Sequence, residues 1–127
     1  MKLLLLAKTH TDWQNGVLIY NEMLRQGYDV KICELTQPDY MILDIQKIWK
    51  PDWIIQTGAG AVSPKLLKAL KQKSKIVIWD ADGIWPAKQK NWDVLKGIPN
   101  IIMSSSRGKA DHLQGYADKA IFIPQYW

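Results

Sequence analysis

Lys75-Ile76-Val77-Ile78-Trp79-Asp80-Ala81-Asp82-Gly83 decides the fold. Ile76 to Trp79 are four consecutive apolar residues without alternation, so neither face of this strand expects water. Strands inside a parallel sheet read this way. The run empties into two carboxylates and a turn glycine. Open α/β sheets bind ligands at the carboxyl ends of their strands, so Asp80 and Asp82 fall on the edge where function usually sits.

The other apolar runs repeat this plan. Lys2 to Ala7 reads as a first strand, followed by a polar loop from Lys8 to Asn15. Asn15 can cap a helix carrying Val17, Tyr20, Met23 and Leu24 at helical spacing, and Gly27 stops it. Tyr28 to Leu35 gives a second strand. A helix from about Tyr40 to Trp49 follows, ended by Pro51. Asp52 to Thr57 is a third strand running into Gly58-Ala59-Gly60. Ser63-Pro64 pairs a cap residue with proline at the first helical position. After the central strand, a helix is expected near Trp92 to Lys96 and a fifth strand over Asn100 to Met103. A last helix runs to about Gln114, and Lys119 to Ile123 forms a sixth strand. Strand and helix alternate throughout, which builds an α/β domain of three layers, α/β/α, around a parallel sheet of about six strands. Right-handed crossovers favour the order 2-1-3-4-5-6. The reversal between the first and third strands is then the default ligand crevice.

Composition bounds the class. A chain of 127 residues, 47% hydrophobic, is read as one domain with a real core. The net charge of +5 rests mostly on dispersed lysines, densest at Lys65, Lys68, Lys71, Lys73 and Lys75. No aromatic residue interleaves with these lysines in the sequence. They are therefore read as a solvated surface rather than a nucleic-acid or lipid patch. The single cysteine, Cys33, excludes an internal disulfide framework and fits a reducing, cytoplasmic setting. Leu3 to Ala7 is too short for a membrane span. Trp49, Trp53 and Trp79 are expected in the core.

The candidate site residues lie in the carboxyl-end loops. His10 can act as a base near neutral pH, with Asp12 orienting it. Thr9, Trp13 and Gly16 share that loop. Gly58, Ala59 and Gly60 let a backbone approach a ligand closely, although they lack the full dinucleotide fingerprint. Asp80 and Asp82 suit polar contact or a turn better than a metal clamp. Trp85 offers a flat ring for stacking. Ser104, Ser105 and Arg107 open a helix where either an anion site or ordinary capping by Ser105 or Ser106 is possible, with capping favoured.

Three stretches carry a family resemblance. Leu24-Arg25-Gln26-Gly27-Tyr28-Asp29-Val30 resembles the helix-to-strand turn near the start of many GT-B glycosyltransferases. Lys50-Pro51-Asp52-Trp53-Ile54-Ile55 resembles the opening of their middle strand. Phe122-Ile123-Pro124-Gln125 resembles the segment joining their two domains, in a form most similar to the CgeB-type branch of the group 1 glycosyltransferases. The sequence departs from the family in its first loop, where only Gly16 follows Asn15 instead of paired glycines.

The resemblance implies a Rossmann-like, acceptor-side N-terminal domain, with the donor-binding domain absent from these 127 residues. It implies transfer of a sugar, hexosyltransferase-type, from a nucleotide-sugar to an acceptor hydroxyl. His10 would be the base. The partners would be a saccharide or other hydroxyl acceptor and, through the second domain, the nucleotide-sugar. The reading invokes no cofactor, no metal and no nucleic acid, and expects the chain to be inactive alone. A second reading, from another class, is a free-standing flavodoxin-like module, either binding a nucleotide or other ligand or regulatory, without catalysis.

Overall fold

A computed structural model describes residues 1–8, 15–57, 62–80 and 89–123. The elements run β1 (Lys2–Ala7), α1 (Asn15–Arg25), β2 (Asp29–Glu34), α2 (Asp39–Trp49), β3 (Trp53–Thr57), α3 (Pro64–Lys71), β4 (Lys75–Asp80), α4 (Gln89–Leu95), β5 (Ile101–Ser104), α5 (Arg107–His112) and β6 (Lys119–Phe122). The strands form one parallel sheet in the order β2-β1-β3-β4-β5-β6. This is the expected order. The order reverses between β1 and β3, so right-handed crossovers put α1 on one face of the sheet and the later helices on the other.

Local chemistry sets the element ends. Gly27 adopts φ 86° beyond α1. Its N–H donates to Leu24 O, and the Tyr28 N–H donates to Met23 O, both at 3.0 Å. This paired closure is a Schellman motif, and it needs a residue at ease with positive φ. Lys50 closes α2 in the left-handed region, with φ 54° and ψ 57°. Pro51 then prevents continuation. At α3, Ser63 Oγ accepts from the Leu66 N–H at 3.2 Å, with Pro64 at the first helical position.

Side-chain parity divides the core. Leu4, Leu6, Ile54, Ile76, Ile78 and Ile102 point to one face, where they pack with Ile42 of α2, Leu66, Leu67 and Leu70 of α3, Trp92 and Leu95 of α4, and Leu113 beyond α5. Leu3, Leu5 and Ala7 point to the other face, towards Ile19, Tyr20 and Met23 of α1. Trp92 is the tryptophan at the centre of this core, with 0% exposure. Trp53 and Trp79, expected in the core, only pack at the rim of the second cluster, and Trp49 is half-buried. Strand ends and helix ends leave one edge of a large ring in water, whereas the middle of α4 faces the sheet.

One buried polar knot ties the amino-terminal edge of the sheet together. Gln46 of α2 donates to Leu70 O at 2.7 Å and to Ser74 Oγ at 3.0 Å. Ser74 Oγ donates in turn to Pro51 O at 2.7 Å. Three segments meeting under the core thus satisfy one another, as buried polar groups must.

Cys33 is a free, buried thiol. Burial, and then the neighbouring Glu34 carboxylate, push its pKa up. Only the thiolate is nucleophilic. Iodoacetamide labelling followed by mass spectrometry should show Cys33 protected in the native protein and labelled in denaturant. Equal rates in both states would contradict this burial.

Gly16 meets β1 more closely than any side chain permits. A Cβ placed there would overlap the Cβ of Ala7. Gly16→Ala is therefore expected to cost about 1–3 kcal/mol through overpacking, measured by urea unfolding. Gly108→Ala is the control, because nothing lies within 4 Å of its added Cβ.

Candidate functional site at the carboxyl-terminal edge

Parity also decides what sits at the carboxyl ends of the strands. Asp80 continues the Ile76, Ile78 series, so its carboxylate turns to the same face as α2 to α5 rather than to solvent. It lies in register with Ser104 of β5, and its carbonyl accepts from the Ser105 N–H at 3.1 Å. Lys109 of α5 reaches back beneath this edge. Its Nζ lies 2.7 Å from Asp80 Oδ2, and both side chains are almost fully buried, at 0% and 2% exposure. The pair fastens α5 to the end of β4. A carboxylate held this way positions the edge and does not present its charge to the outside.

Ser104, Ser105 and Ser106 shape the turn into α5. Ser104 Oγ accepts from the Ser106 N–H at 3.2 Å, and Ser106 Oγ accepts from the Lys109 N–H at 3.3 Å. Ser106 is thus the helix cap, which matches the favoured capping role. The Arg107 guanidinium lies over the Phe122 ring, 4.8 Å from its centroid, so it leans towards β6.

At the switch point, Gly16 packs against Ala7, and the Thr57 hydroxyl donates to Leu6 O at 3.4 Å. The close approach of β1 and α1 matches what the third glycine of a dinucleotide fingerprint achieves in helix–strand packing. Thr9, His10, Asp12, Trp13, Gly58, Ala59, Gly60, Asp82 and Trp85 lie outside the described residues. Among the described residues, no group of three or more His, Cys, Asp or Glu side chains is placed to hold a metal ion. No helix among them is long and apolar enough to cross a membrane.

Sequence reasoning missed Lys109. Its signal was the spacing of Lys109, Ala110 and Leu113, which puts the lysine on the apolar side of a short helix. A buried lysine needs a carboxylate, and Asp80 is the strand-end carboxylate on that face.

Neither a family model nor a curated protein matches the chain. Among solved structures, the chain is similar to a novel cobalamin-binding protein from Desulfitobacterium hafniense DCB-2, known from a 1.5 Å crystal structure. The TM-score is 0.50 at 20% identity, over 71% of this chain and 48% of that one. The fold is Rossmann-like. The chain spans about half the length of that cobalamin-binding protein.

This comparison overturns the glycosyltransferase expectation, and it gives no support to the CgeB-type assignment, the saccharide acceptor or the nucleotide-sugar donor. The structural neighbour is a cobalamin-binding protein. The physical reason lies in the motifs themselves. Leu24 to Val30 encodes the Schellman closure at Gly27, and Lys50-Pro51-Asp52 encodes a left-handed helix stop before a strand. Such turns serve any doubly wound sheet, whatever it binds. The third motif runs into residues 124–127, outside the described residues.

Lys109→Met would leave the Asp80 carboxylate buried without its cation, a loss expected to cost about 3–5 kcal/mol. The double variant Asp80→Asn, Lys109→Met should recover most of that loss, because no uncompensated charge remains. Chemical denaturation of the single and double variants measures this coupling.

Proposed function

We propose that this chain is a ligand-binding module, working without catalysis of its own, that takes a nucleotide-like ligand at the carboxyl-terminal edge of its sheet. The observation that carries this reading is the reversal of strand order between β1 and β3. Crossovers leave that point in opposite directions, so a crevice opens between the two loops. In this reading Thr9, His10, Asp12 and Trp13 contribute from the first loop, and Gly58, Ala59 and Gly60 from the loop after β3. Asp82, Trp85, Ser105 and Arg107 line the neighbouring part of the edge, with the buried Ser104 shaping the turn behind them. Asp80 acts from below by positioning that edge through Lys109, and Gly16 by seating α1. Residues 1–127 form one domain, and its setting is cytoplasmic, in keeping with a free buried thiol at Cys33.

A mononucleotide or flavin suits the reading through the glycine loop. The cobalamin ligand of the structural neighbour adds a corrinoid to the set worth testing. Purified protein should bind flavin mononucleotide, adenosine monophosphate or cyanocobalamin saturably, as followed by amide chemical shifts in 15N-labelled protein. The moving amides should include Gly16, Thr57, Ser104 and Ser105. Absence of saturable shifts at this edge with all three compounds would overturn the reading.

A further inference from the structure

The opposite edge of the sheet carries a second feature, independent of the ligand crevice. A depression of about 560 Å³ opens at the amino-terminal ends of β3, β4 and β5, lined by Asp52, Trp53, Lys71, Lys73, Ser74, Lys75 and Asn100, with Met1 beside them. Its volume falls in the range of small-molecule sites. Three lysines and one carboxylate share its lining. That carboxylate is already engaged, because Asp52 Oδ2 accepts from the Lys2 N–H at 2.8 Å.

Several polar groups of the lining are committed to the fold. Ser74 Oγ is used by Pro51 and Gln46. The Asn100 side chain accepts from the Ile76 N–H and donates to Asp118. The backbone N–H groups of Lys73, Ser74 and Lys75 donate to Leu70 O, Leu70 O and Asp52 O. What the depression offers a ligand is therefore cationic charge, and two of its lysines are held in place. Lys75 Nζ stands over the Trp53 ring, 5.1 Å from its centroid. Lys71 Nζ donates to Gly97 O at 3.4 Å. Cation–π contact fixes an ammonium without neutralising it, so positive charge is preorganised here. The aromatic partner that the lysine-rich stretch lacks in sequence is supplied by β3.

The geometry points to an anion site in this depression that takes the phosphate of a nucleotide-sized ligand, with the ammonium groups of Lys71, Lys73 and Lys75 as its cations and the Trp53 indole beneath Lys75. The site is remote from Ser104 to Arg107, which lie at the other ends of the same strands. Its occupancy therefore does not depend on the function proposed above.

The test is an amide-shift titration of 15N-labelled protein at constant ionic strength with three probes. These are sodium pyrophosphate, adenosine monophosphate and a short single-stranded thymidine oligonucleotide. Saturable shifts at Trp53, Lys73, Ser74, Lys75 and Asn100 with pyrophosphate or adenosine monophosphate are expected. Lys73→Gln combined with Lys75→Gln should weaken binding by about tenfold or more, as loss of two charge-assisted contacts implies. Both side chains are exposed, so the variant should fold, and its unshifted remaining amides check this. Linear shifts without saturation, shifts confined to the carboxyl-terminal edge, binding of the oligonucleotide alone, or an affinity unchanged in the double variant would each overturn the proposal.

Discussion

The handedness of parallel crossovers governs this molecule. A parallel strand cannot follow its predecessor without a helix, and that helix must return on the right-handed side. β1 steps one way to β2, and every later step runs the other way. So α1 packs on one face of the sheet, and the core of the other face is shared by α2, α3, α4 and the end of α5. The same reversal puts the switch point of the strand order between β1 and β3. Helix placement and switch point thus share one cause.

That cause also explains the buried charges. Four crossovers on one face leave α5 against the ends of β4 and β5, where the chain turns polar. Asp80 points into that junction because its parity leaves no other direction. An unpaired carboxylate there would be costly. Lys109 compensates it and locks α5 to the sheet. The amino-terminal edge solves a similar problem with neutral groups, through Gln46, Ser74 and the Pro51 carbonyl. Polar knots at both ends of an apolar sheet fix the register of helix on strand.

Much of this was legible in the residues. The unbroken apolar run from Ile76 to Trp79, the proline and glycine stops, and Ser63-Pro64 named strands and helices almost to their observed ends. The favoured strand order is the observed one. What escaped was set by distant partners. Lys109 reads as a surface lysine until Asp80 is placed beside it. Trp92 sits in a stretch of mixed polarity, yet it fills the core, whereas Trp53 lies at a rim where Lys75 covers it. The family resemblance misled for a different reason. Its first two motifs describe how helices stop and strands start, so they report the architecture and carry no information on chemistry.

The contact between Gly16 and Ala7 bears on how far such a domain can change. These two positions stand on either side of the chain segment that leaves β1, and there is no room for a Cβ at position 16 beside the Cβ of Ala7. The distance between α1 and the sheet is therefore set at this contact. A domain of this kind that gained a methyl group there would have to lift its first helix off the strand end, and with it everything that the helix start positions.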